Sequence, residues 1–153
     1  MYNLTVISVK KKCKYMKEII YNVIGSAMEV HRVLGWGLLE AVYQEALSVE
    51  LQKRSVEHKM EVNLPIFYKD VKLEKSYRMD LLVEDEIIIE FKAVVEITTA
   101  HRMQLFNYMR LTKKKYGVLI NFGELNLHCE RYIYDDKNNE CYLVDRNLNR
   151  VNY

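Results

Sequence analysis

The sequence predicts an α/β fold in which one mixed β-sheet is flanked by helices. Apolar residues recur at three- and four-residue steps from Lys17 to about Leu34 and again from about Leu38 to Arg54, which predicts two amphipathic helices. Alternating and continuous apolar runs follow and predict strands, and a third helical segment interrupts them. The order helix, helix, strands, helix, strands indicates one sheet with helices packed against it.

Capping and stop signals set the helix boundaries. The first helix is expected to stop at Gly35, and the third to run from an N-cap at Thr98 or Thr99 to Arg110. The second helix should bury one apolar stripe, formed by Leu39, Val42, Ala46 and Val49.

Six segments have the composition of strands. They are Val56–Tyr68, Leu73–Val83, Glu86–Val94, Tyr116–Phe122, Leu127–Tyr134 and Cys141–Val144. Turns are expected at 69–70 and 84–85, and the last two strands should form a hairpin around Asp135–Asn139. Pro65 predicts a break or an edge strand, because proline cannot donate to a β-ladder. The apolar run at 116–122 is typical of a strand buried on both faces.

Length and composition are those of a single globular domain. The chain has 153 residues, of which 29% are charged, and its net charge of +2 permits a polyanionic partner without requiring one. Residues 1–15 are predicted to be a basic, poorly ordered tail before a domain at 16–153, and either Met1 or Met16 could be the natural start. No apolar run approaches a membrane span, so no membrane partner is expected. The three cysteines form no CxxC pair, which favours reduced thiols in a cytoplasmic protein.

The main candidate for chemistry is Asp80 followed by Glu90, Phe91 and Lys92. Side chains alternate along a strand, so Glu90 and Lys92 should share one face while Phe91 points into the core. Asp80 lies near the end of the preceding strand, so two carboxylates can converge beside an ammonium group. Carboxylates that hold Mg²⁺, with Mn²⁺ as a substitute, are the ligands that metal-dependent phosphodiester hydrolysis needs, and the carbonyl of Phe91 is a further candidate ligand.

A purely structural explanation of the Glu90-Phe91-Lys92 triplet stays open. A Glu-x-Lys pattern on a strand is often a solvated face, and Glu90 and Lys92 could form a purely structural salt bridge. The flanking runs Leu81–Val83 and Ile87–Ile89 are strongly apolar, however, and buried charges are costly unless they are paired or bound to a metal.

Two helical pairs accompany this triplet. Glu40 and Tyr43 are three residues apart and should share one face of the second helix, although a glutamate in a first turn is also an ordinary surface residue. Gln104 and Tyr108 are four apart on the third helix, with His101 one turn before them. They could be a surface pair, or they could hold a catalytic carboxylate and a phosphate.

Several segments together resemble the GxxExxY family of the PD-(D/E)xK nuclease superfamily. They are Gly37–Tyr43, Tyr77–Leu82, Ile89–Ala93, His101–Arg110 with its QxxxY pattern, and Tyr116–Gly123. The resemblance implies a restriction-endonuclease-like core, with Glu40, Asp80 and Glu90 around a metal, Lys92 on the water or phosphate, and Gln104 and Tyr108 in support. Met79 stands where the superfamily name has proline, and Trp36 replaces a residue that is often proline.

These observations lead to the hypothesis of a Mg²⁺-dependent nuclease, with DNA as the expected substrate and a homodimer compatible with the sequence. Candidate nucleic-acid contacts are Arg78, Arg102, Arg110, Lys113, Lys114 and Lys115. A non-catalytic nucleic-acid-binding or adaptor module with the same fold is the alternative, and a protein-interaction domain is a third. The choice between DNA and RNA, and between endonuclease and exonuclease, is left open.

Overall fold

Three helices and six strands make up the described part of the chain. The structure is a computed structural model that describes the backbone of residues 2–152 and the side chains of residues 8–152. The helices are α1 (Tyr2–Leu34), α2 (Glu40–Lys53) and α3 (Thr99–Thr112). The strands are β1 (His58–Tyr68), β2 (Val71–Val83), β3 (Ile87–Lys92), β4 (Tyr116–Asn121), β5 (His128–Asp135) and β6 (Glu140–Val144).

The six strands form one mixed sheet in the order β1-β2-β3-β4-β5-β6. Only β3 and β4 are parallel, and α3 makes the crossover between them. The other neighbours are antiparallel. The predicted mixed sheet flanked by helices is confirmed, and it is consistent with a restriction-endonuclease-like fold.

Each face of the sheet has its own hydrophobic core. Phe91 and Ile89 of β3 pack with residues of α1 and α2, whereas Ile88 packs with Leu105 and Met109 of α3. Successive side chains on a strand point to opposite faces, so a strand between two helical layers must be apolar throughout. Accordingly β4 is buried along its whole length, as its sequence predicts.

The first helix is longer than predicted. It begins at Tyr2 and not near Lys17, so residues 2–15 continue the helix where the sequence indicates a tail. Glycine and proline are missing from this segment, and its lysines are good helix formers. Lys12 also pairs with Glu86 at 2.7 Å. The domain limit at residue 16 stays a prediction.

The predicted buried stripe of α2 is wrong. The helix buries Tyr43, Leu47 and Leu51, while Leu39 is 78% exposed and Val49 is 47% exposed. Tyr43 decides the rotation of the helix, because its ring stacks on Phe122 with the centroids 4.6 Å apart. A period of 3.6 residues allows several stripes on a short helix, and packing selects one of them.

The predicted turns are confirmed. Residues 69–70 and 84–85 are turns, with positive φ at Lys69, Glu84 and Asp85. The strand that contains Pro65 lies at the edge of the sheet and has a bulge directly after the proline. Thr98 is the N-cap of α3, and His101 completes the cap because its Nδ1 accepts a hydrogen bond from the Thr98 backbone N–H at 3.0 Å. Across residues 2–152, none of the helices combines the length and apolar character needed to cross a membrane.

The orientation of α2 can be tested by truncating one residue on each side of it. Leu47→Ala should lower the free energy of unfolding by about 2 to 5 kcal/mol, because it leaves a cavity in the core. Val49→Ala removes a half-exposed side chain and should change that free energy by less than about 0.5 kcal/mol. Urea unfolding measures both. If Val49→Ala is the more costly change, α2 is rotated differently.

Candidate active site

Strands β2 and β3 separate at Asp80. Their pairing runs from Val83↔Ile87 to Leu81↔Ile89 and ends there. Beyond this point a side chain replaces the backbone pairing: Oδ2 of Asp80 accepts a hydrogen bond from the backbone N–H of Phe91 at 2.9 Å. On the other side of Asp80, Glu61 of β1 has a φ of 49°, an uncommon conformation for a residue with a side chain. The sheet therefore opens between Asp80 and Glu90.

Glu90 is the most unusual residue of this opening. It is completely buried, and neither of its carboxylate oxygens has a hydrogen-bond partner within the described residues. The ammonium nitrogen of Lys92 lies 3.8 Å from Oε2, which is too far for a hydrogen bond. Buried polar groups are nearly always hydrogen-bonded, so an unpartnered carboxylate calls for an explanation.

Burial raises the pKa of all three carboxyl groups of the opening, and the charge of Asp80 raises the pKa of the other two further. Burial raises the pKa of Glu90 to about 9, and the negative charge of Asp80 adds to this effect. Burial also raises the pKa of Asp80, although the Phe91 N–H, the neighbouring Glu90 carboxyl group and the Lys92 charge lower it. The pKa of Glu40 is raised by burial and then by the charge of Asp80, which brings Glu40 into the same electrostatic environment.

A chain of hydrogen bonds fixes Lys92. Its Nζ donates to Oε1 of Gln104 at 2.9 Å, and Nε2 of Gln104 donates to the hydroxyl of Tyr108 at 3.0 Å. That hydroxyl donates to the backbone carbonyl of Arg78 on β2 at 3.3 Å. Gln104 and Tyr108 thus connect α3 to both site strands. His101 is not part of this chain, because its ring caps α3.

Glu40 and Tyr43 differ in burial and in their hydrogen bonds. Glu40 is half-buried at the start of α2, and Gln44 donates a hydrogen bond to its Oε1 at 3.3 Å. Tyr43 is fully buried, and its hydroxyl donates to the carbonyl of Gly35 at 2.7 Å and accepts from the N–H of Leu38 at 3.1 Å. Tyr43 therefore holds the loop before α2, and with it the position of Glu40.

The residues present fit a hard divalent cation. Glu90 offers two oxygens that no described residue hydrogen-bonds, and Asp80 is near enough to raise its pKa; Mg²⁺ and Mn²⁺ prefer such oxygen ligands. Within residues 2–152 no three His, Cys, Asp or Glu side chains already surround one point, so this set is not fully assembled. Mg²⁺ commonly binds through one or two carboxylates and keeps several waters. The roles of Glu40 and the Phe91 carbonyl as ligands stay predictions.

The arginines predicted to contact nucleic acid are in different environments. Arg78 lies two residues from Asp80 with 68% of its side chain exposed, and its only ionic neighbour in the described chain is Glu61 at 3.9 Å. Arg102 forms two hydrogen bonds with Glu130, at 2.8 and 2.6 Å. Arg110 donates to Asn107. Of these three, Arg78 is the one that the structure places beside the site with a free surface.

The three predicted lysines lie at the other end of the sheet. They precede Tyr116, which pairs with Ile87, whereas Lys92 pairs with Asn121 at the far end of the same two strands. Lys113 binds Asp136, Lys114 donates to the carbonyl of Asp85, and Lys115 lies over the ring of Tyr116. The structure does not bring them to Asp80 and Glu90, and their contact with nucleic acid stays a prediction.

Asn121 supports the site and was not identified as a functional residue from the sequence. Its buried amide joins the loops after β3 and β4, accepting from the N–H groups of Val94 and Gly123 and donating to the carbonyl of Val94. A side chain on Gly123 would meet the backbone of Val94 at 2.3 Å. The one sequence signal was a polar residue within an apolar strand, which is typical of many strand ends.

The burial of Glu90 makes stability depend on pH. Without divalent cation, its pKa rises from 4.5 in the unfolded chain to about 9 in the folded one, so the folded state binds the extra proton between these values. Stability should therefore fall as pH rises through this window, by up to about 1.4 kcal/mol per pH unit. The free energy of unfolding of Glu90→Gln should depend less on pH over this window, because the amide does not titrate.

Glu74→Gln is the matched control for this comparison, since Glu74 is exposed on β2. Its profile should follow that of the wild type. If the free energy of unfolding changes with pH in the same way in the wild type and in Glu90→Gln, Glu90 is not a buried, uncompensated carboxyl group.

One comparison with known proteins identifies a family. A family model of the PD-(D/E)XK nuclease superfamily matches residues 17–132. No curated protein and no solved structure matches the chain significantly. The matched segment contains all the residues of the opening, from Glu40 to Tyr108. Because the match covers well over half of the 153 residues, this chain belongs to the PD-(D/E)XK nuclease superfamily.

Proposed function

We propose that the protein is a metal-dependent nuclease that hydrolyses phosphodiester bonds in DNA, with Mg²⁺ as its cation and Mn²⁺ as a substitute. Membership of a nuclease superfamily supports the reaction class. The membership of the GxxExxY branch belongs to the same proposal, on the motif at Gly37, Glu40 and Tyr43.

One observation carries the proposal: the buried Glu90 carboxylate lies beside Asp80 and receives no hydrogen bond from any residue that the structure describes. A purely structural Glu90–Lys92 salt bridge would hydrogen-bond the carboxylate, but the two groups are 3.8 Å apart and Lys92 donates to Gln104 instead. Two adjacent acidic groups in a buried opening cost stability. A bound cation would offset that cost.

The residues of the opening have distinct roles in this proposal. Asp80 and Glu90 hold the cation, and Glu40, whose pKa the charge of Asp80 raises, acts as an outer ligand or a base. The chemistry that a divalent cation supplies in such a site is polarisation of a phosphoryl oxygen and a lower pKa of bound water. Lys92 contributes a fixed positive charge next to Glu90, suited to charge that builds on the phosphate.

Gln104 and Tyr108 position Lys92 and do not react themselves. The amide of Gln104 accepts from Lys92 through its oxygen and donates to Tyr108 through its nitrogen, so the lysine has one preferred direction. Tyr108 passes this restraint to the β2 backbone at Arg78. Lys92, Asp80 and Glu90 are therefore held relative to one another by α3.

A cleavage assay tests the proposal. Purified protein is incubated with linear, circular and single-stranded DNA and with Mg²⁺ or Mn²⁺. Asp80→Asn and Lys92→Met should each reduce the cleavage rate by about 10²-fold or more, because each removes charge from the reacting centre. Glu74→Gln and Lys137→Met change exposed residues of the same types and should retain the wild-type rate.

The outcomes separate the candidate functions. Cleavage that persists in both Asp80→Asn and Lys92→Met would remove the assignment of the site. Binding of DNA without cleavage under all conditions would support the adaptor alternative.

A further inference from the structure

A groove opens beside the candidate active site, between the middle of β2 and the outer face of α3. Its volume is about 380 Å³, and it is lined by Tyr77, Ala100, Met103, Gln104, Asn107 and Tyr108. We refer to it as the Tyr77 groove. Two of its lining residues, Gln104 and Tyr108, also belong to the hydrogen-bond chain that holds Lys92. The groove therefore lies next to the residues that position Lys92.

The lining of the Tyr77 groove is aromatic, apolar and amide, without a charged side chain. Tyr77 is 48% exposed and Met103 is 46% exposed, so each offers a free surface. The ring of Tyr77 lies against that of Tyr108 with the centroids 5.6 Å apart, which holds it in place. This lining suits a flat, uncharged group, and it differs from the charged residues next to it.

Asn107 can still form a polar contact inside the groove. Asn107 uses its Oδ1 to accept from Arg110 at 3.0 Å, and its amide nitrogen makes no hydrogen bond within the described residues. A single amide donor can pair with an acceptor on any nucleobase, so it gives little sequence preference. Stacking on an aromatic ring is tolerant of sequence for the same reason, because every base has a π-face.

We propose that the Tyr77 groove binds one unstacked nucleobase next to the phosphate that is cleaved, so that the preferred substrate is single-stranded or frayed DNA. This inference rests on the proposed nuclease function. A base inside a duplex has both faces covered by its neighbours and cannot enter a side groove without being extruded, which costs a few kcal/mol. Single strands present their bases without that cost.

The test measures binding of DNA in EDTA, so that it does not depend on cleavage. The probe is a short single strand that carries one 2-aminopurine, whose fluorescence is quenched when the base stacks, compared with the same sequence as a duplex. Wild-type protein should bind the single strand about tenfold more tightly than the duplex and quench the probe. Tyr77→Ser should lose about tenfold in affinity for the single strand together with the quenching.

Tyr68→Ser is the matched control, because Tyr68 is a 65% exposed tyrosine on the neighbouring strand outside the groove. It should bind as the wild type does. Met103→Ala truncates a residue that lines the Tyr77 groove from α3, and it should also weaken binding of the single strand. This second variant keeps the test valid if Tyr77→Ser unfolds, which circular dichroism would show.

The binding and cleavage results together distinguish a failure of the groove proposal from a failure of the nuclease proposal. Binding that depends on Tyr77, in a protein that cuts no DNA with Mg²⁺ or Mn²⁺, would support the groove and remove the nuclease proposal. Cleavage that depends on Asp80 but not on Tyr77 or Met103 would support the nuclease and overturn the groove. Equal binding of single strand and duplex, or no binding of either, would also overturn the groove.

Discussion

The structure around the site depends on one electrostatic constraint: Glu90 is fully buried beside Asp80, and no donor in the described part of the chain hydrogen-bonds its carboxylate. An ionised carboxylate in an apolar layer is costly, and a second one next to it increases the cost. The protein has two ways to relieve this constraint, protonation of Glu90 or a bound cation. The raised pKa of Glu90 favours protonation, and the carboxylate oxygens of Glu90 and Asp80 are suitable ligands for a cation.

The surrounding elements keep these charged groups from rearranging. Arg102 and Glu130 form a bidentate pair that joins α3 to β5, two residues along the helix from Gln104. The Asn121 amide joins the loops after β3 and β4 at the same end of the sheet. A site that stores unfavourable charge needs such a rigid frame, because mobile side chains would move the carboxylates apart.

Most of the fold could be predicted from the sequence because its signals are local. Alternating and continuous apolar runs predicted the strands. The spacing of Asp80, Glu90 and Lys92 predicted that they lie on adjacent strands, with Phe91 in the core. Long-range packing escaped prediction: the rotation of α2 depends on the stacking of Tyr43 on a residue far along the chain. Likewise, nothing local shows that Asp80 replaces a backbone hydrogen bond where two strands part.

The central claim is that Asp80 and Glu90 form one cation site, and calorimetric titration of Mn²⁺ tests it most directly. At pH 7 Glu90 is protonated, so binding should release protons, which repeated titrations in buffers of different ionisation enthalpy would reveal. The account predicts one saturable site per chain with proton release, and loss of both in Glu90→Gln. Unchanged saturable binding in Glu90→Gln, or no saturable binding by the wild type, would contradict it.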